Sequence, residues 1–178
     1  MTADLRHRFS DLRQRITAAA NAAGRNADSV GMIAVSKTRS ADEIRALAQA
    51  GQQHFGENYL QEALSKRDAL RDLPLCWHFI GPLQSNKTAE VAGHFDWVHS
   101  VDRLRIAERL SQQRPADQGP LQVCVQVNLS GEASKSGCTP AELPALCHAV
   151  SRLPGLRLRG LMTLPAPPQP GDDPRRPF

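Results

Sequence analysis

Six short apolar runs recur along the chain, and the stretches between most of them carry helical spacing. The runs start near residues 31, 54, 76, 96, 121 and 156, in VGMIAVSK, HFGEN, CWHFIG, FDWVHSV, LQVCVQVNL and LRLRGLMTL. Most intervals are about twenty-odd residues, the length of one strand-plus-helix unit. A helix between successive strands forces neighbouring strands to run parallel, because a tight turn cannot make that connection. The chain is therefore expected to be α/β, as either an open doubly wound sheet or a (β/α) barrel. No G-x-G-x-x-G follows the first run, which weakens the dinucleotide-binding sheet. No G-x-x-x-x-G-K-[ST] occurs either, which removes a P-loop.

The helical stretches carry their own signals. Leu5, Phe9, Leu12, Ile16 and Ala19 recur in steps of three and four, so residues 3–22 read as an amphipathic helix stopped near Gly24. Ser40 and Glu43 have capping-box spacing ahead of Ile44, Leu47 and Ala48, and Gly51 ends that helix. A helix over 58–70 should turn Leu60, Leu64 and Ala63 inward, and residues 86–94 suit a short helix. Asp102 is placed to cap a helix holding Leu104, Ala107 and Leu110. Thr139, Pro140 and Glu142 mark another start, with Leu143, Leu146, Val150 and Leu153 on its inner face.

At 178 residues, with 40% hydrophobic and 22% charged residues, the composition suits one soluble domain with a real core. There is no run of about 18 apolar residues, so no membrane span is expected. MTADLRHRFSDLRQRITAAA lacks an apolar signal core, which leaves the cytoplasm as the expected location. The net charge of +4 comes from Arg and Lys interleaved with Asp and Glu, and aromatics are only 4%. Neither a basic stripe nor a stacking platform for nucleic acid results. Cys76, Cys124, Cys138 and Cys147 form no C-x-x-C pair, and the six histidines show no metal-ligand spacing. No metal site or disulfide is expected, and Cys76 and Cys124 read as small buried hydrophobes.

In a barrel the C-terminal ends of the strands line one functional rim. The polar residues there are Ser36 and Lys37; Glu57 and Asn58; His78 with the loop Gly81–Lys87; His99 and Ser100; Asn128, Ser130 and the loop containing Lys135; and Met162 with Thr163. Lys37 stands out, arriving in AVSKT where a buried strand should surface. An amine held on a rigid strand end can attack an aldehyde or ketone to form a Schiff base. That chemistry serves either carbonyl-condensing enzymes of the aldolase type or pyridoxal 5'-phosphate (PLP), and position does not choose between them. Lys66, Lys87 and Lys135 are expected to be ordinary surface amines.

AVSKT, FGENYLQE (55–62), WHFIGPLQSNKTAEV (77–91), VDRLRIAERL (101–110), SGEASKSG (130–137) and LRGLMTLPAP (158–167) occur in this order. In these stretches, over residues 1 to about 167, the chain resembles the YggS/PROSC family of PLP homeostasis proteins. The resemblance implies a TIM-type (β/α) barrel like the N-terminal domain of alanine racemase, with an extra N-terminal helix. It implies that Lys37 carries PLP as a Schiff base, with Asn58, His78, Gly81 and Met162 around the cofactor. It implies no established catalytic turnover, so no catalytic residues are expected, but a role in buffering PLP and delivering it to PLP-dependent apoenzymes. Neither nucleic acid nor membrane is an expected partner.

The family pattern is broken after the sixth strand. Its members continue through two more strands, whose Ser-Leu-Gly-Met-Ser-type and Arg-Ile-Gly-type stretches hold the PLP phosphate. This chain runs instead into PAPPQPGDDPRRPF, with six prolines between Pro165 and Pro177. It therefore reads as a C-terminally truncated member: a barrel domain at 1–164 with about six of eight strands, then a Pro-rich irregular tail at 165–178. A complete member is expected to be monomeric, and a truncated one association-prone with weakened PLP binding. A remnant that binds nothing is the competing reading.

Overall fold

A computed structural model describes residues 2–131, 136–167, 171, 173 and 175. The chain divides into two compact units, Met1–Trp77 and His78–Phe178.

The first unit holds α1 (Thr2–Ala22), β1 (Ala34–Val35), α2 (Ala41–Gln49), β2 (His54–Glu57), α3 (Leu60–Ala69) and the start of β3 (Cys76–Phe79). β1 and β2 are parallel, with Ala34 opposite Phe55 and Val35 opposite Gly56. Ser36 N–H donates to Gly56 O at 2.9 Å and carries the ladder one step further. β1 is much shorter than the apolar run 30–37. Val30 instead follows a 3-10 turn at Ala27–Ser29, nucleated by the Asn26 side chain accepting from Asp28 N–H. Where Met32 approaches β2, the Gln52 amide bridges the carbonyls of Met32 (2.9 Å) and His54 (2.5 Å), so a side chain replaces the ladder.

The capping box of α2 forms as the spacing requires. Glu43 N–H donates to Ser40 Oγ and Ser40 N–H to Glu43 Oε2. Gly51 takes a φ of +95° at the far end, where a side chain would be strained. Ile44 and Ala46 are buried on α2, while Leu47 and Ala48 are half-buried. On α1, Phe9 and Ala20 are buried, but Leu12 and Ala19 are exposed. The expected stripe was rotated by one residue at its end. On α3 the buried residues are Leu60, Ala63 and Lys66, with Leu64 only half-buried.

The second unit holds the end of β3, α4 (Thr88–His94), β4 (Trp97–Val101), α5 (Leu104–Gln113), β5 (Leu121–Gln126), α6 (Leu143–Ser151) and β6 (Leu156–Met162). β3 pairs with β4, β4 with β5 and β5 with β6, all in parallel. The helices cross from the end of one strand to the start of the next, as parallel pairing requires. Val98, Val101, Ile106, Ala107, Leu110, Leu121, Val123, Val125 and Val150 are fully buried between sheet and helices.

Two helix starts differ from expectation. Asp102 does not cap α5; its carboxylate pairs with Arg103 at 2.7 Å, Ile106 takes the buried position, and Leu104 is exposed. Thr139 and Glu142 exchange reciprocal bonds, but α6 begins only after them at Leu143. All four cysteines are free thiols, with Cys124 and Cys138 buried and Cys76 and Cys147 half-buried. The described residues of 165–178 carry no helix or strand. Among the described residues, no helix is long and apolar enough to cross a membrane.

Candidate functional site at the strand ends

Lys37 lies two residues beyond the end of β1, and Asn58 is the first residue after β2. Continuing the register brings Ser36 opposite Glu57, and the contact is real: Ser36 Oγ donates to Glu57 Oε1 at 2.6 Å. Side chains alternate between the faces of a strand. Ala34, Ser36, Phe55 and Glu57 therefore share one face, and Val35, Gly56 and Asn58 share the other. The second face is the open one at β1, where Val35 is 52% exposed. Lys37 is exposed too.

The buried face carries an ion cluster. Lys66, only 7% exposed, reaches up from α3 and donates to Ser36 O (2.6 Å), Glu57 Oε1 (2.8 Å) and Glu62 Oε1 (2.6 Å). Lys66 is thus not the surface amine its sequence context suggests. Three acceptors meet its three ammonium protons, so no donor of this buried side chain is left unpaired. Glu57 is fully buried, and its second oxygen has no hydrogen-bond partner among the described residues; the same holds for Asn58 Oδ1.

The turn above this cluster is under backbone strain. Thr38 has a φ of +62°, in the left-handed region that a β-branched residue rarely enters. Its N–H donates to Glu62 Oε1 at 2.6 Å, and Arg39 N–H returns to Ser36 O at 3.0 Å. The Lys66 ammonium, and then the Thr38 amide, hold the Glu62 carboxyl below the usual carboxylate range against the opposing effect of burial.

In the second unit, His78 lies inside β3 rather than at its end, and it is buried. Its Nδ1 is 2.9 Å from His99 Nε2, so one of the two rings donates to the other. Both rings stack on Trp97, with centroids 5.4 and 5.6 Å away, and the Arg159 guanidinium stands 5.8 Å from the Trp97 ring. Burial pushes the His99 imidazole below its ordinary pKa. Gly81 is buried just past β3. Met162 ends β6 half-buried, and its carbonyl accepts from Val127 N–H at 2.9 Å. The loop after β5 folds back so that Gln126 Nε2 donates to Ser136 O. Gly137 there has a φ of +129°, and a Cβ on it would lie 2.7 Å from Asn128 N, so only glycine fits. Lys135 lies outside the described residues.

Of the residues expected at the site, Lys37 and Asn58 belong to the first unit, and His78, Gly81 and Met162 to the second. Sequence reasoning missed Lys66 and Glu62. Their one visible signal was the i,i+4 spacing of Glu before Lys, which is common on exposed helices.

Residues 4–175 match the family described as alanine racemase, N-terminal domain. The pyridoxal phosphate homeostasis protein of Pseudomonas aeruginosa is 65% identical over 153 residues, covering 86% of this chain and 66% of that protein. The protein of the same name from Escherichia coli K12 is 52% identical over 167 residues, covering 92% of this chain and 71% of the other. The chain belongs to the pyridoxal phosphate homeostasis protein family. It spans about two thirds of the length of these relatives.

Among solved structures of the family, PipY of Synechococcus elongatus without PLP is 40% identical with a TM-score of 0.81, covering 93% of this chain and 73% of PipY. PipY with PLP bound, also 40% identical, gives 0.77 over 90% and 70%. An alanine racemase from Clostridium difficile shares the fold alone, at 13% identity and a TM-score of 0.62 over 75% of this chain and 35% of the racemase. Of the two α/β architectures open to the sequence, the fold is therefore the TIM-barrel-like one of the alanine racemase N-terminal domain.

Proposed function

We propose that this chain binds PLP, carries it covalently on the ε-amine of Lys37, and serves PLP homeostasis without catalytic turnover. The observation that carries the reading is the placement of Lys37: an exposed amine just past a parallel strand, on a turn whose neighbouring peptide groups are tied to charged side chains of α3. A chain 40% identical has been solved with PLP bound, and the relatives are named for PLP homeostasis.

The residues of the first unit suit the cofactor. PLP presents an aldehyde to the amine and polar ring substituents to its neighbours. Asn58, one strand over, keeps an acceptor oxygen with no partner among the described residues. The cofactor, when bound, supplies an electrophilic carbonyl. The chain supplies the amine, holds it at a fixed strand end, and releases the cofactor to PLP-dependent apoenzymes.

The test is borohydride reduction after mixing the protein with an equivalent of PLP, followed by peptide mapping. A single adduct on Lys37, absent from Lys37→Ala, is the expected result. Adducts shared with Lys87 would reduce the chemistry to that of any surface amine and overturn the reading.

A further inference from the structure

Lys37 sits between two peptide groups, and both are held from α3. The carbonyl of Ser36, on its N-terminal side, accepts from Lys66 Nζ at 2.6 Å. The amide of Thr38, on its C-terminal side, donates to Glu62 Oε1 at 2.6 Å. Lys66 and Glu62 are bonded to each other at 2.6 Å, one helical turn apart. Glu57, fully buried, anchors Lys66 from the strand side at 2.8 Å.

We propose that Lys66 and Glu62 are positioning residues for Lys37: together they grip the peptide groups on either side of it and set the direction in which its amine leaves the strand. This rests on the reading of Lys37 as the residue that carries PLP. Three observations converge on it. A buried lysine spends all three of its protons on this one turn and the carboxylates around it. The turn contains the one non-glycine residue with positive φ among the described residues, Thr38 at +62°. Such a conformation persists only where its surroundings over-determine it. Finally, the anchors sit on a helix–strand pair, so the amine is aimed by rigid elements rather than by a free loop. Pre-orientation of this kind acts on rate, because misaligned reacting groups lose most of the advantage of being held together.

The experiment compares wild type, Glu62→Ala, Glu62→Gln and the double variant Lys66→Met/Glu57→Gln. Glu62 is partly exposed, so its truncation spares the core. In Glu62→Gln, the amide oxygen can still accept from both Thr38 N–H and Lys66. Two quantities are read: the amide exchange rate of Thr38 by NMR, which needs no cofactor, and the rate at which PLP is trapped on Lys37. Expected for Glu62→Ala is at least about tenfold faster exchange at Thr38 and about tenfold slower trapping, with both returning to within about threefold in Glu62→Gln. The double variant should show the same two defects even if its melting temperature is unchanged.

Unchanged exchange at Thr38 in both Glu62→Ala and the double variant would overturn the inference. So would faster exchange with unchanged trapping, or trapping on Lys66 itself in the wild type. If wild type is not trapped on Lys37 at all, the proposed function falls, while the exchange measurement still decides whether the grip exists.

Discussion

The strand ends of the two units keep polar groups from water by opposite means. At β1 and β2, one buried ammonium bonds two carboxylates, one fully buried and one partly exposed, with Ser36 completing the set. At β3 and β4, two imidazoles share one hydrogen bond and lie against an indole, with a guanidinium beyond it. An ion cluster is brittle: each member is needed to offset the burial of the others. A ring stack loses contact area piecemeal, but its hydrogen bond requires at least one neutral imidazole. The first unit should therefore fail on loss of a charge, and the second should respond to gain of a proton.

The sharpest way to break this contrast is Lys66→Ala. It leaves Glu57 buried without its cation, and should cost about 3–5 kcal/mol in denaturant unfolding. Pairing Lys66→Met with Glu57→Gln should recover most of that loss, and a double variant as unstable as Lys66→Ala would show that packing, not charge, is what matters. In the second unit, Trp97→Ala should cost about 2–3 kcal/mol, less than for a fully buried indole because Trp97 is only half-buried. It should also alter the NMR titration of His99, whose ring it supports. Ser36→Ala removes one bond to Glu57 while Lys66 keeps its grip on the Ser36 carbonyl, so only about 1 kcal/mol is expected.

The smallest expected effect is in pH. Burial lowers the His99 pKa in the folded chain, whereas an unfolded imidazole titrates near about 6.5. The unfolded state then binds the proton first, so stability is complete above that pH and declines as pH falls below it. The melting temperature should drop between about pH 7 and 5.5 in wild type and stay flatter in His99→Gln. A flat wild-type profile would mean the histidine pair does not sense protons.

Much of the scaffold was legible. The strand starts at His54, Cys76, Leu121 and Leu156 lie where the apolar runs begin, because burial on a parallel sheet demands such runs. The capping box at Ser40 and Glu43 formed because it is local, closed within a single turn. What was missed depended on distant partners. β1 shrank because the Gln52 side chain took the place of a ladder bond. Leu12 and Leu104 have helical spacing but meet no neighbour to bury them.

Neighbouring β5 and β6 show the same limit. LQVCVQ is buried almost throughout, while no residue of LRLRGLM is, and Leu161 is 55% exposed. A leucine's apolarity is written in the chain, but whether anything covers it is not.

The two lysines of the first unit divide the matter most cleanly. Sequence by itself determined the alternating α/β order, the placement of Lys37 at a strand end and the family to which the motifs point. It could not say that Lys66 is buried, because the groups that make burial tolerable lie 9 and 30 positions away, at Glu57 and Ser36. Only the folded chain brings those acceptors to one ammonium, and only then do a strained threonine and an exposed lysine acquire a fixed direction.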